Sequence, residues 1–215
     1  MANWSEQASA AIARYEGGES RDLDQRQLMQ LANAAWAAGV CLLMDGRRDE
    51  SAVWLRRAAE RYRESWGDAP ADSWGRPIAA MKALLLAGDD ATQAAQWGLD
   101  AGAAEATSPI GRYAGTLALL VLGRDVEARV LASTLRDRDD FPRDVADALI
   151  TVAAADRAGY LIAVEDVLES FETRDAYLED LPIADTVIVL QALAARRDVE
   201  AELPLSALLP ASAHL

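Results

Sequence analysis

Three arginines recur at a similar place in the first helices of successive predicted hairpins. Arg76, Arg112 and Arg143 each lie 11 or 12 residues before the turn expected to end their helix. In stacked helical hairpins these positions share one edge, and a row of guanidinium groups there could bind carboxylates of a partner. The alternative is that each arginine pairs with an acidic residue of a neighbouring helix. In a chain this acidic we favour the alternative.

Tryptophan is the second candidate binding residue type. Trp66 and Trp74 flank the clearest predicted loop, residues 67–72. Each could be a core side chain packed under that loop or an exposed anchor of the kind found at interfaces, and we favour core packing. The other central tryptophans have helical spacing among Ala and Leu, which predicts core positions for Trp36, Trp54 and Trp97.

Residue types that carry catalysis or bind metals are scarce. The chain has one cysteine, Cys41, within an apolar run, and one histidine, His214, next to the C-terminus. Zinc and copper sites need several such ligands. The acidic run 137–140 lacks the glycine and final Glu of a calcium loop, and no Walker-type phosphate loop or Gly-x-Ser-x-Gly elbow occurs. We therefore expect no metal, no cofactor and no enzymatic activity.

The charge balance restricts the partners that the chain could bind. Its net charge is −14, and its basic residues are all arginine except Lys82. Binding to nucleic acid or to an anionic membrane needs a basic surface, so we expect neither. We find no signal-peptide pattern at the N-terminus and no stretch of about 20 apolar residues, and a lone cysteine forms no intrachain disulfide. These features predict a cytoplasmic protein.

A repeated turn indicates how the chain is organised. Apolar segments end on Gly46, Gly88 and Gly123, which are 42 and 35 residues apart, and acidic residues follow each glycine within a few positions. A glycine just past a helix can adopt the left-handed conformation that ends it, and the acidic residues can cap the next helix. Residues 196–201 are similar in sequence to residues 123–128, and this echo of the turn suggests a further unit. The pattern predicts an all-α domain of repeated helical hairpins.

These hairpins resemble tetratricopeptide-type arrays over residues 28–200. The C-terminal third is similar to all-helical immunity proteins of bacterial toxin systems, through Leu181-Pro182 before a helix, the run 190–196 and the tail 202–210. We expect one all-α domain of about five antiparallel hairpins, either a tetratricopeptide-like solenoid or a compact bundle. Its parts would be an N-terminal helix at 1–22, hairpins at 23–202 and a tail at 203–215.

The resemblance implies a non-catalytic protein that binds another protein, and its specific form is an immunity protein that inhibits a toxin by direct binding. Two alternatives stay open: a regulatory protein that binds a small molecule in an Arg- and Trp-lined pocket between helices, and an enzyme with an unrecognised carboxylate site. The sequence leaves the oligomeric state open. The candidate binding residues are Arg76, Arg112, Arg143, Trp74 and Trp66.

Overall fold

The computed structural model describes residues 3–20 and 22–211, so His214 lies outside the described residues. Helix dominates this part of the chain, which contains no strand, and this confirms the all-α prediction. The α-helices are α1 Trp4–Gly18, α2 Gln25–Met44, α3 Arg48–Glu64, α4 Gly75–Leu86, α5 Thr92–Asp100, α6 Pro109–Val121, α7 Asp125–Arg136, α8 Arg143–Ala153, α9 Arg157–Glu172 and α10 Asp185–Ala195. Short 3₁₀ turns lie at Ala103–Glu105 and Leu178–Asp180.

Helices α1 to α9 pack mainly against their neighbours in the chain. The last helix departs from this order, because α10 contacts α8 and α9 and also α4, about 100 residues earlier. Helix α10 therefore joins distant parts of the array instead of extending it by one more unit.

The composition of α10 explains its central place. Its buried residues include polar and apolar side chains on every side of the helix: Thr186, Val187, Ile188, Val189, Leu190, Gln191, Leu193 and Ala194. A helix that is hydrophobic all round is stable in water only when other elements cover all of its faces. The helices that α10 contacts provide this cover.

The three predicted glycine turns are present. Gly46, Gly88 and Gly123 have φ of 78°, 81° and 69°, two residues past the ends of α2, α4 and α6. In each turn the amide after the glycine donates to a carbonyl five residues back, as Asp89 N does to Leu84 O at 2.9 Å. Ala155 and Asp198 make the same bond pattern after α8 and α10 with φ of 49° and 56°.

The echo at 196–201 does not begin another hairpin. Helix α10 ends at Ala195, and residues 196–211 contain no helix. This segment is fixed by backbone contacts instead: Ala184 N donates to Leu208 O at 3.0 Å, and Gln191 bonds both backbone polar groups of Ala201. The tail thus starts at about residue 196, earlier than the predicted 203, and lies along α10.

Helix α2 is the one helix among the described residues that is long and apolar enough to be considered as a membrane span. By its 20 residues and mean hydropathy of 1.3 it could cross a membrane. However, 67% of its apolar stretch is buried within the protein, where α1 and α3 pack against it. A buried core helix passes the same test, so length and hydropathy do not decide between the two.

The turn geometry makes opposite predictions for adding and removing a Cβ atom. Gly123→Val should destabilise the protein by about 1–2 kcal/mol or more, because a β-branched residue at positive φ is strained. Ala155→Gly should stabilise it by up to about 1 kcal/mol, because it removes the same strain. Urea unfolding measures both, with the exposed helical change Gln93→Ala as a near-neutral control. Equal effects of Gly123→Val and Gln93→Ala would contradict this account of the turns.

Candidate functional site

The predicted row of arginines separates into three different environments. Arg76 is only 6% exposed, at the start of α4. Its Nε donates to Ser65 Oγ at 2.9 Å and its Nη2 donates to Gln25 Oε1, so it connects α4 to the end of α3 and the start of α2. Burial lowers the pKa of Arg76. The residue is structural, but its partners are neutral and not the carboxylates that we expected.

Arg112 is half-buried in the first turn of α6. The one hydrogen bond that its side chain makes among the described residues runs from Nε to the backbone oxygen of Ala106, at 3.1 Å. No carboxylate of the described residues pairs with it. The neighbouring Gly111 lies against Trp74, since a Cβ added at Gly111 would be 2.9 Å from Trp74 Nε1. Glycine is therefore required here, and it brings the backbone that carries Arg112 against the indole.

Three tryptophans, Trp66, Trp74 and Trp97, form one contiguous cluster. The ring of Trp66 lies 6.0 Å from Trp74 and 5.5 Å from Trp97, edge-on to the latter. Trp74 is buried and donates from Nε1 to Asp72 Oδ1 at 3.1 Å, whereas Trp66 is half-buried. Trp74 thus packs under the 67–72 loop, as the core interpretation holds. Trp66 keeps part of its surface in solvent.

Arg63 completes this region at the other end. Its guanidinium lies 4.6 Å from the ring centre of Trp97, a cation–π distance, and its side chain is exposed. Trp97 Nε1 is buried without a hydrogen-bond partner. We call Arg63, Trp66, Trp74, Trp97 and Arg112 the aromatic corner.

Arg143 lies in a third environment, different from those of Arg76 and Arg112. It begins α8, its side chain is 70% exposed, and its closest ionic contact is 3.7 Å to Asp147. Such a solvated pair contributes little stability. The structure therefore brings Trp66 and Trp74 together with the start of α6, places Arg76 beneath the surface and leaves Arg143 in solvent.

A comparison among covered arginines shows what is unusual about two of them. Arg61, Arg138 and Arg197 are partly covered, and each pairs with a carboxylate. Arg76 and Arg112 are the covered arginines of the described chain that have no such pair. Since the sequence contains 35 acidic residues, a shortage of carboxylates does not explain this difference.

The sequence analysis missed an ion pair in the interior. Lys82 Nζ on α4 lies 2.6 Å from Asp185 Oδ2, in the first turn of α10, and donates to Thr186 Oγ1 at 3.0 Å. Both charged side chains are close to nine-tenths covered. Burial opposes the charge of Lys82, but Asp185 outweighs it and the pKa of Lys82 is raised. The signal in the sequence was a single lysine within an apolar helix.

This pair is better suited to structure than to catalysis. A catalytic lysine is usually activated by a lowered pKa, and here the pKa shifts the other way. Burial also raises the pKa of the nearby Tyr113 phenol.

The Cys41 thiol is buried, and burial raises its pKa to about 11, so little thiolate forms near neutrality. Within the described residues no three His, Cys, Asp or Glu side chains are grouped as a metal site would need.

The chain matches no protein-family model, no curated protein and no solved structure.

The Lys82–Asp185 pair predicts strong coupling between the two residues. Lys82→Met should cost about 3–5 kcal/mol of unfolding free energy, because it leaves a covered carboxylate without its counterion. Lys82→Met with Asp185→Leu should cost clearly less than the sum of the single changes. Urea unfolding of the four proteins measures the coupling. Additive losses would show that the pair contributes nothing.

The same pair predicts a loss of stability at alkaline pH. The folded pKa of Lys82 is raised above its ordinary 10.5, so the stability from its charge is complete below that pH. It is lost as the pH rises through the folded value. The stability difference between wild type and Lys82→Met should therefore be constant from neutral pH to about 9 and shrink above 10.5. A difference that grows with pH would contradict the assignment.

Proposed function

We propose that this protein is a non-catalytic binding protein that recognises another protein through the aromatic corner. The observation that carries the proposal is the state of Arg112. Arg112 is half-buried next to Gly111, whose backbone lies against Trp74, and among the described residues its side chain bonds a backbone carbonyl but no carboxylate. An acidic side chain on a partner could supply the bidentate acceptor that Arg112 lacks.

The composition of the corner supports this role. Tryptophan and arginine are the residues most enriched at positions that dominate binding energy. The three indoles hold one another in edge-on and tilted contacts, so Trp66 is already ordered and loses little conformational freedom on binding. Ile110, two residues before Arg112, is 45% exposed and adds apolar surface.

Helix α10 fills the interior, and this also favours a protein-binding site on the outer surface. In an open solenoid the concave face is the usual binding surface. Here α4, α8 and α9 pack against α10, so the chain itself fills space that a peptide would need. A partner must then bind at an edge or on an outer face, and the aromatic corner lies where loop 67–72 meets the start of α6.

The charge of the chain supports a toxin as the partner. A net charge of −14 accelerates association with a basic protein, and toxins that act on nucleic acid have basic surfaces. Direct coverage of such a toxin is the specific form of the proposal. The arginines of the corner would then select carboxylates within a partner surface that is basic overall.

The three predicted arginines provide their own controls for this proposal. Arg112→Ala should weaken partner binding at least tenfold, about 1.4 kcal/mol, with little change in Tm. Arg76→Ala should lower Tm by several degrees, because it removes the contacts of α4 with α2 and α3. Arg143→Ala should change neither quantity.

The partner is captured from host extract with tagged wild type and identified by mass spectrometry, and Kd is then measured for each variant. If the neighbouring gene encodes a toxin, co-expression should restore growth with wild type and Arg143→Ala, and less with Arg112→Ala. The proposal fails if Arg112→Ala binds the captured partner as tightly as Arg143→Ala does.

A further inference from the structure

Two clefts meet at a single ion pair on the side of the molecule formed by α1 and α2. One, of about 430 Å³, lies between Arg14 and the first half of α2. The other, of about 260 Å³, reaches Cys41. Arg14 and Glu179 line both, and Arg14 Nη1 donates to Glu179 Oε2 at 2.9 Å.

The larger cleft is rich in hydrogen-bond donors. Asn33 Oδ1 accepts from the Tyr62 hydroxyl at 2.8 Å, and Gln27 Oε1 accepts from the Asp24 amide at 2.9 Å. These bonds occupy the amide oxygens and leave the NH₂ groups of Asn33 and Gln27 without acceptors among the described residues. Within the described part of the chain, Gln30 makes no side-chain hydrogen bond, and Nε and Nη2 of Arg14 have no acceptor.

Glu179 is the one carboxylate that lines this cleft, and the chain holds it there in a strained conformation. Glu179 and its neighbour Asp180 both have left-handed backbones, with φ of 55° and 56°. Residues with a Cβ rarely adopt this region, least of all twice in succession. The Glu179 side chain is 18% exposed, so the strained turn places its carboxylate well inside.

We propose that this cleft is a binding site for a small organic acid and that Glu179 occupies it in the free protein. The carboxylate of the ligand takes the place of the Glu179 carboxylate on Arg14. It also accepts hydrogen bonds from the side-chain NH₂ groups of the asparagine and glutamines of α2 that line the cleft. Glu179 is displaced, and the turn at Leu178–Asp180 relaxes. The site is independent of the aromatic corner and goes beyond the proposed protein binding.

Charge favours a small acid over an acidic protein segment. With a net charge of −14 the chain repels an acidic polypeptide, and that repulsion grows with each charge on the partner. A small acid with one or two carboxylates is repelled far less. The volume of about 430 Å³ lies within the range of small-molecule sites.

Displacement of an internal carboxylate predicts effects of opposite sign for two substitutions. Glu179→Gln removes the competitor and should tighten binding of succinate, glutarate or citrate at least tenfold. Arg14→Gln, added to Glu179→Gln, should weaken that binding at least tenfold. Affinity is measured on the full chain by calorimetry and by NMR titration. Circular dichroism and Tm confirm that each variant is folded.

Two matched controls separate the site from general charge effects. Glu165→Gln and Arg26→Gln remove the same charges at exposed positions that do not line the cleft, and should change affinity by about twofold at most. Phosphate and an oligoglutamate peptide serve as other anions, and should bind Glu179→Gln at least tenfold more weakly than the best organic acid. The proposal is overturned if no organic acid saturates Glu179→Gln, if Arg14→Gln has no effect, or if phosphate or the peptide binds as tightly.

Discussion

Helix α10 is covered on nearly every side. Apolar contacts alone do not fix the rotation and the axial position of such a helix. On a helix that is apolar all round, rotation by one residue or a shift by one turn exchanges one hydrophobic face for another. Polar contacts remove this degeneracy. Asp185 pairs with Lys82 at the first turn, and Arg197 at the other end bonds the Asp125 carboxylate and the Leu120 carbonyl. Between them Gln191 bonds Tyr160 and Ala201.

These polar contacts also determine where a ligand or partner can bind. Each of them joins α10 or the residues just after it to a different part of the chain: α4, the start of α7, α9 and the tail. Because α10 fills the interior and is held along its length, a partner could enter there only by breaking buried ionic contacts. Binding groups that remain available lie on the periphery, at the aromatic corner and at the Arg14 cleft. The two differ in kind, since one presents ordered aromatic surface and the other presents unused hydrogen-bond donors.

Local rules predicted the helices and the three glycine turns because both depend on residues close in sequence. Gly46, Gly88 and Gly123 could be predicted as turns because each follows an apolar helical segment. The turn at Ala155 was a weaker match to the same pattern because no glycine marks it, and there an alanine adopts the positive φ. The echo at 196–201 misled for a related reason. Its residues match a turn before a helix, but the following segment is not helical and bonds Ala184 and Gln191 instead.

The candidate sites were harder to predict because their partners are distant in the chain. The spacing of Arg76 and Arg112 placed both at helix starts correctly, but Gln25 is 51 residues from Arg76. The partners of Lys82 are about 100 residues away. Periodicity contains no information on such pairings. The turn at Glu179 was likewise not predictable, because Glu179 pairs with Arg14, which is 165 residues away in the chain.

The contrast between Arg76 and Arg112 is the basis for assigning them different roles. A covered guanidinium is stable only if donors find acceptors, and Arg76 finds them in two side chains that connect three helices. Arg112 has one backbone acceptor and stays half in solvent. An acidic chain could readily have placed a carboxylate beside Arg112, as it did beside Arg61, Arg138 and Arg197. A carboxylate there would stabilise the fold but would occupy the group that an acidic residue of a partner needs. The absence of a carboxylate there among the described residues, next to the tryptophan cluster, is the observation on which the proposed role of Arg112 in binding rests.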